Sequence, residues 1–428
     1  MKQTPAKCNK MDLTQTLEKS SLWRISSIDM HTTGEPTRIV YAGFPSLHGT
    51  LLEQRAQAKR DHDDIRKRLM LEPRGHRDMY GAVLRQDTEL VRSGEAHIGV
   101  LFMTNDGFST MCGHASIALG RFLIDTHELG VFPRREELKF DPETRTTTIN
   151  LHTPCGIVKI KCPTTTDGKK SDPMRPVSFI SVPSFATGVN VQILLPETHR
   201  WDELHSKGAR RSVHADFSYG GAFYCIINAT EMGFYDGLKN VNMDRLNNAT
   251  RLLKDAINND KELKALCRHP DHNDLGFLYS IMVVDDKLGS TTTESAGAET
   301  GLCFFADQQV DRSPTGGGVA ARAALAYAKG IRKKDVSWTY HSLVSNAFDG
   351  RGAMVGTVIE EVEIPTGEGI TKQGVRVKVE GQAYYTGMHT FIVEGGDLIG
   401  EQGFAFDKLG TELGDRMPLV DLEAKWRG

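Results

Sequence analysis

The sequence predicts an α+β fold in which two pseudo-symmetric α/β domains enclose an active-site cleft. The chain has 428 residues, the length of two or three ordinary domains. A small-residue helix opening at Cys112-Gly113-His114 is echoed 203 positions later, from 112 to 315, by a helix opening at Thr315-Gly316-Gly317. Each helix follows a strand and a turn. The two halves would therefore each present a helix N-terminus to the shared cleft.

The predicted elements divide the chain into four parts, with the polar stretch Lys169–Pro176 as the best boundary signal between the domains. An alternative division has the C-terminal strand of the second domain return to the first domain. The parts are a flexible N-terminal extension (1–21), a first α/β domain carrying Cys112 (22–180), a second α/β domain carrying Thr315 (181–406) and a polar tail (407–428).

Hydrophobic spacing and turn residues predict the elements of the first domain in order. Residues 53–71 are charged with apolar positions at helical spacing, whereas residues 97–102 are apolar and β-like. The predicted elements are a strand over 24–28, a helix over 53–71, a strand over 97–102, a helix from Cys112 onwards and strands over 146–151, 156–160 and 177–182.

The elements of the second domain are predicted from the same features. Its Ala-rich helix ends at Gly330, because glycine favours a helix C-terminus. The region between this helix and residue 406 is predicted to be mainly β. The other predicted elements are a strand over 217–227, a helix over 244–259 and strands over 280–284 and 302–306.

Composition excludes several classes of protein. Apolar residues make up 39% of the chain, enough to bury a sizeable core. The net charge of −3 predicts no nucleic-acid partner and no membrane partner bound through bulk electrostatics. Residues 1–21 hold no apolar run of the kind a secretory signal requires, so a cytoplasmic location is expected.

The seven cysteines do not form a recognisable framework. None is arranged as C-x-x-C, and Cys155 and Cys162 are the nearest pair in sequence. This pattern predicts neither structural disulfides nor a zinc site. Asp29, His31 and Glu35 are close in sequence, but no further ligands complete a set, so no metal is predicted.

Cys112 has a context that favours catalysis. A helix N-terminus carries unpaired N–H groups and a partial positive charge, which stabilise a thiolate. Gly113 lets a ligand approach the backbone closely. An isolated cysteine is by default inert core, but this setting, with His114 two residues away, favours a base or a nucleophile.

The second helix start has different chemistry. Thr315 does not ionise usefully near neutral pH, and it can cap the helix or donate a hydrogen bond. Gly316 and Gly317 lack the lysine of a phosphate-binding loop, but their N–H groups suit a carboxylate. Asp311 is either a turn residue or an acceptor for a ligand ammonium group.

Four segments together resemble the signature segments of the proline racemase superfamily. They are DMHTTGE (29–35), MCGH (111–114), DFSYGGAFY (216–224) and DRSPTGGG (311–318). The similarity extends from about residue 24 to 406. It implies a diaminopimelate-epimerase-like fold, no cofactor and a homodimer.

Racemases and epimerases of this family carry cysteine at both helix starts, and Thr315 departs from that pattern. The departure is typical of the branch that dehydrates trans-3-hydroxy-L-proline, so a small imino acid is the expected substrate. Inverting a stereocentre needs an acid and a base on opposite faces. A thiol on one face alone still supports elimination when the neighbouring carbon carries a hydroxyl.

The resemblance also implies roles for individual residues. Cys112 would remove the Cα proton, and its thiol, His114 or a water would protonate the departing hydroxyl. Thr315 would lie on the opposite face and lend a hydrogen bond. The backbone at Gly113, His114, Gly316 and Gly317 would hold the substrate carboxylate, and Asp311 would hold the ring nitrogen.

Three other functions remain open from the sequence. A 4-hydroxyproline epimerase or proline racemase needs a second acid or base, which Thr315 does not supply. A cysteine hydrolase would use Cys112 as a nucleophile and would form a covalent acyl-enzyme. An amino-acid-binding protein would tolerate replacement of Cys112 by alanine.

Overall fold

The computed structural model describes residues 13, 16–17, 23–205, 210–292, 294–365, 371–394 and 396–409. The predictions of a flexible N-terminal extension (1–21) and of a polar tail (407–428) therefore fall almost wholly outside the described residues.

The first half of the chain is mainly β, with one long buried helix. In chain order its strands and helices are β1 (Arg24–Thr32), β2 (Glu35–Ala42), α1 (Leu51–Asp61), α2 (Asp63–Met70), β3 (Gly81–Arg85), α3 (Glu89–Arg92), β4 (Ile98–Met103), β5 (Phe108–Ser109), α4 (Gly113–Asp125), β6 (Phe140–Asp141), β7 (Thr146–Thr153), β8 (Gly156–Pro163) and β9 (Val177–Ile180).

The second half repeats this layout and ends with a long run of strands. Its elements are β10 (Phe185–Leu194), α5 (Asp202–His205), β11 (Ser212–Tyr219), β12 (Phe223–Asn228), α6 (Met243–Asn259), α7 (Lys261–Ala265), β13 (Leu278–Asp285), β14 (Ala298–Phe305), β15 (Gln309–Val310), α8 (Gly316–Ala328), β16 (Ser337–His341), α9 (Leu343–Ala347), β17 (Met354–Pro365), β18 (Thr371–Gly381), β19 (Ala383–Ile392) and α10 (Leu398–Gln402).

Two predicted elements are each divided in the structure. The single helix predicted over 53–71 is α1 and α2, because His62 leaves the helical region with φ −137° and ends α1. The single strand predicted over 217–227 is β11 and β12, an antiparallel pair joined by a turn in which Gly221 has φ +92°. A left-handed conformation of this kind favours glycine.

The strands form two ladders that share β18. In the first ladder the neighbours are β19, β1, β2, β3, β4, β7, β8, β9 and β18. In the second they continue from β18 through β17, β16, β14, β13, β12 and β11 to β10. The division at residue 180 stays a prediction. Strand β9, which ends there, pairs with β8 on one side and with β18 on the other. The late strand β19 pairs with β1 of the first half.

Each ladder wraps around one helix. Helix α4 packs against β1, β2, β8, β9, β18 and β19, and α8 packs against β10, β11, β12, β17 and β18. Almost every position of both helices is buried, and their small residues make room for the surrounding strands. A Cβ on Gly120 of α4, for example, would lie 2.8 Å from Ile160 Cγ2.

The two halves follow the same order. In each, the ladder contains two parallel pairs, β2 with β3 and β4 with β7 in the first, β12 with β13 and β14 with β16 in the second. In each, a short strand pairs back on β4 or β14 before the central helix begins. The predicted α+β class with two similar halves is confirmed. No helix within the described ranges is long and apolar enough to cross a membrane.

Candidate active site

The N-termini of the two central helices meet in one pocket between the halves. The pocket contains every residue that the sequence singled out as a site residue, together with four others from neighbouring strands and loops. Its lining is Met111, Cys112, Gly113, His114, Tyr224, Tyr279, Phe305, Asp311, Thr315, Gly316 and Gly317.

The contact between the helix starts depends on glycine. A Cβ on Gly113 would lie 2.4 Å from Gly316 Cα, and one on Gly316 would lie 2.8 Å from Gly113 Cα. A Cβ on Gly317 would lie 2.7 Å from Tyr224 Oη. The three glycines let two backbones and a tyrosine hydroxyl approach one another, which leaves the free N–H groups of both helix starts at the pocket.

Cys112 caps the first helix with its sulfur. Its backbone is extended, and Sγ accepts a hydrogen bond from the Ala115 N–H at 3.2 Å. The imidazole of His114 lies beside the same sulfur, with Nδ1 3.3 Å away. The Tyr80 ring covers this imidazole edge-on, with 4.6 Å between ring centroids.

The surroundings of His114 favour its charged form. Burial alone lowers the pKa of His114, but the nearby Cys112 sulfur and the Asp311 carboxylate outweigh burial and hold this pKa well above its usual value. Nδ1 of His114 lies 3.8 Å from Asp311 Oδ2. The buried imidazole thus presents Nδ1 to both the Cys112 sulfur and the Asp311 carboxylate, and it can hold a proton next to Cys112.

Thr315 and Asp311 are joined directly. Thr315 Oγ1 donates to Asp311 Oδ2 at 2.8 Å, whereas the Thr315 side chain makes no capping hydrogen bond. The other carboxylate oxygen, Oδ1, accepts from the Ser313 N–H at 2.7 Å. Thr315 has φ +64°, an uncommon conformation for a β-branched residue. Two roles were predicted for Thr315, helix cap and hydrogen-bond donor. In the structure its hydroxyl donates to Asp311 and does not cap the helix.

Glu35 is a site neighbour to which sequence reasoning gave no catalytic role. It begins β2 and is fully buried, and its Oε2 accepts from the Arg312 N–H at 2.8 Å. Its Oε1 is buried without a hydrogen-bond partner among the described residues. Burial and the Asp311 carboxylate raise the pKa of Glu35 to about 8. The sequence feature that could have identified Glu35 as a site residue is the DMHTTGE segment, which ends with this glutamate.

The other two titratable residues of that segment do not line the pocket. Asp29 pairs with Arg38 at 2.9 Å, and His31 Nδ1 accepts from the Gly34 N–H at 3.0 Å. Instead, one side-chain atom each of Glu35, His114 and Asp311 come within 4.8 Å of one another. The absence of a metal stays a prediction.

Aromatic side chains form a wall that the sequence did not predict. Tyr279 stacks on Phe305 with 5.6 Å between ring centroids, and Tyr224 meets Tyr279 edge-on at 5.9 Å. Tyr224 belongs to the DFSYGGAFY segment, but no spacing rule distinguishes its ring from ordinary core. The wall makes the pocket apolar on one side and polar at the helix starts, a common design of small-ligand sites.

Comparison with known proteins agrees with this architecture. The sequence model of the proline racemase family, described as "Proline racemase", matches residues 27–405. The chain therefore belongs to the proline racemase family, and the resemblance drawn from the four segments is confirmed.

Relatives in this family carry a more specific name. The chain is 40% identical over 379 residues to trans-3-hydroxy-L-proline dehydratase of Homo sapiens, covering 87% of this chain and 92% of the relative. It is 38% identical over 384 residues to trans-L-3-hydroxyproline dehydratase of Xenopus tropicalis, covering 89% and 94%.

Solved structures share the fold. A probable proline racemase from Agrobacterium radiobacter K84 superposes with a TM-score of 0.70 at 22% identity, covering 90% of this chain and 97% of that one. A hydroxyproline epimerase from Agrobacterium vitis, solved with bound trans-4-hydroxy-L-proline, has a TM-score of 0.69 at the same identity and coverage.

Proposed function

We propose that this protein dehydrates trans-3-hydroxy-L-proline to Δ1-pyrroline-2-carboxylate, as a hydro-lyase that needs no cofactor. The observation that carries the proposal is the pairing of one cysteine with one threonine at two helix starts that share a pocket. One thiol supplies acid–base chemistry on one face of a substrate, and a threonine does not supply it on the other. The names of the relatives support the same reaction.

Binding would use both helix ends. The free N–H groups near Gly113, His114, Gly316 and Gly317 would hold the substrate carboxylate, as helix N-termini hold anions. They would also stabilise the negative charge that spreads onto this carboxylate when Cα loses its proton. Asp311 would accept a hydrogen bond from the ring ammonium group.

Cys112 would start the reaction as a thiolate. It takes the proton from Cα, and the electron pair of that bond forms a double bond to C3 while the C3–oxygen bond breaks. In trans-3-hydroxy-L-proline the Cα hydrogen and the hydroxyl lie on the same ring face, so the elimination is syn. The enamine that remains gains a proton at C3, loses one from the ring nitrogen and so becomes the cyclic imine product.

The departing hydroxyl needs a proton from the same face. The Cys112 thiol and the charged His114 are next to each other and would supply it between them, so that water leaves and both groups return to their starting states. Thr315 would act by holding Asp311, to which it donates a hydrogen bond. It transfers no proton.

Two further features belong to the proposal. A cytoplasmic location is supported by the six described cysteines, all of which are free, because unpaired thiols are typical of reducing compartments. A homodimer is proposed from the family resemblance alone. Sedimentation of the purified protein would test the dimer, and a monomer at working concentration would contradict it.

The experiment that tests the function offers the purified protein three substrates without added cofactor. They are trans-3-hydroxy-L-proline, trans-4-hydroxy-L-proline and L-proline, with o-aminobenzaldehyde to detect pyrroline and chiral chromatography to detect epimers. We expect pyrroline from the 3-hydroxy compound alone. An epimer without pyrroline would instead indicate a racemase or epimerase, and no reaction with any of the three would overturn the assignment.

A further inference from the structure

Glu35 is a buried carboxyl group beside the pocket that the proposed reaction does not use. It does not line the pocket but lies behind Asp311, at the beginning of β2. One of its carboxyl oxygens is bound to the Arg312 N–H, and the other is buried without a partner among the described residues. An unpartnered carboxylate oxygen in a dry site is costly, whereas a protonated one is not.

Burial and the Asp311 carboxylate raise the pKa of Glu35 and outweigh the charged His114 and Arg312, which lower it. Asp311 and His114 each place a polar atom within 4.8 Å of it. The Arg312 guanidinium also faces it, but this group pairs with Asp78 at 2.9 Å, which offsets its charge. Two neighbouring carboxyl groups in a buried site do not both ionise readily, so one of them retains a proton.

Of the two carboxyl groups, Asp311 is better prepared to be the charged one. It accepts two hydrogen bonds, from Thr315 Oγ1 and from the Ser313 N–H, and it lies beside the charged His114. Glu35 accepts one hydrogen bond and has a free oxygen on which a proton can reside. Hydrogen bonds to a carboxylate favour its charged form.

We propose that Glu35 retains the proton of a buried carboxyl pair with Asp311 and so limits this pair to a single negative charge facing the amino group of the substrate. Glu35 is thus a positioning residue that acts through Asp311. The single charge matches the single positive charge of a ring ammonium group. A second negative charge would oppose the negative charge that develops on the substrate when Cα is deprotonated.

Infrared spectroscopy of the ligand-free protein tests the protonation directly. A protonated carboxyl group has a carbonyl band distinct from that of a carboxylate, and the difference between wild type and Glu35→Gln isolates the band of this one residue. We expect the band at pH 7 in the wild type, its absence in the variant, and its loss with a midpoint near pH 8. Asp311→Asn removes the opposing charge and should lower this midpoint.

A second test measures kcat/KM as a function of pH, and it rests on the proposed function. Glutamine keeps the shape and neutrality of a protonated glutamate, so Glu35→Gln should retain kcat/KM at pH 7 within about threefold. Above pH 8 the wild type should lose kcat/KM as Glu35 ionises, and the variant should lack this loss. A merely structural role would not remove a limb from the pH profile.

The outcomes separate the two proposals. If no substrate turns over, the proposed function fails, and the infrared titration still decides the protonation of Glu35. If the wild type has no band at pH 7 that Glu35→Gln removes, Glu35 is ionised and the inference is wrong. A titration midpoint that stays the same in Asp311→Asn would overturn the coupling of the pair.

Discussion

The backbone of Gly113 at the start of α4 touches the backbone of Gly316 at the start of α8. A Cβ on either residue would lie less than 3 Å from the Cα of the other, at 2.4 and 2.8 Å. The two halves of the molecule thus meet through the atoms that are proposed to bind the substrate carboxylate. A change in this contact would alter the site and the packing of the halves together.

Gly113→Ala tests this contact. The added methyl group must push the helix starts apart, so we expect kcat/KM to fall about 100-fold, as it does when catalytic groups are misplaced by about 1 Å. Overpacking should also cost roughly 1–3 kcal/mol of stability. Gly107→Ala is the matched control, because nothing lies within 4 Å of its Cβ position. Equal activity of the two variants would contradict the tight contact.

Cys112→Ser tests the catalytic base. Serine preserves the size and the capping geometry but not the thiolate, so kcat should fall by at least about 1000-fold while the fold is retained. Cys155→Ser is the control, since Cys155 is half-buried, lies outside the pocket lining and contacts the Thr153 hydroxyl at 3.2 Å. Normal turnover by Cys112→Ser would exclude Cys112 as the base.

Thr315 is tested through its hydroxyl. Thr315→Ser retains the bond to Asp311 and should keep activity, whereas Thr315→Val removes it and should raise KM by about tenfold, the effect of losing one hydrogen bond to a charged group. If the valine variant binds substrate as well as the serine variant does, the support of Asp311 by Thr315 is unimportant.

Thr315→Cys tests the opposite-face assignment separately. A second thiol at this helix start would supply the missing acid or base, so we expect epimer formation from proline or 4-hydroxyproline, detected by chiral chromatography. If the variant forms no epimer while its dehydratase activity persists, a thiol at this position does not reach the opposite face of the substrate.

The sequence predicted the parts of the site that short motifs encode. Cys112 and Thr315 each stand before a run of small residues, and such runs mark helices that must pack closely within a core. The repeat of this pattern also indicated that the two helices serve equivalent halves. Their meeting in one pocket agrees with this prediction, because a pseudo-symmetric pair of helix starts faces a common cleft.

The parts that depend on distant contacts were not predictable. Glu35 meets Asp311 across 276 positions of sequence, and only the pairing of strands around each helix brings them together. The break at His62 and the turn at Gly221 were missed for a local reason. Their flanking segments continue the same hydrophobic pattern, so periodicity alone gives no boundary there.

Glu35 also predicts how stability depends on pH. Its pKa is about 8 in the folded protein, against an ordinary value of 4.5 that applies when the chain is unfolded. Between pH 4.5 and 8 the folded state therefore binds a proton that the unfolded state has lost. Stability from this group is present below pH 4.5 and decreases as pH rises towards 8, by up to about 1.4 kcal/mol per pH unit.

Glu35→Gln should abolish this contribution. Relative to the wild type, the variant should gain free energy of unfolding as pH rises from 5 to 8, and the difference should level off above 8. Urea unfolding at a series of pH values measures this difference in the free energy of unfolding. Glu363→Gln, an exposed position on β17, is the control and should follow the wild type. Parallel curves for Glu35→Gln and wild type would mean that Glu35 ionises equally in both states, because a group without a shift has no linkage to folding.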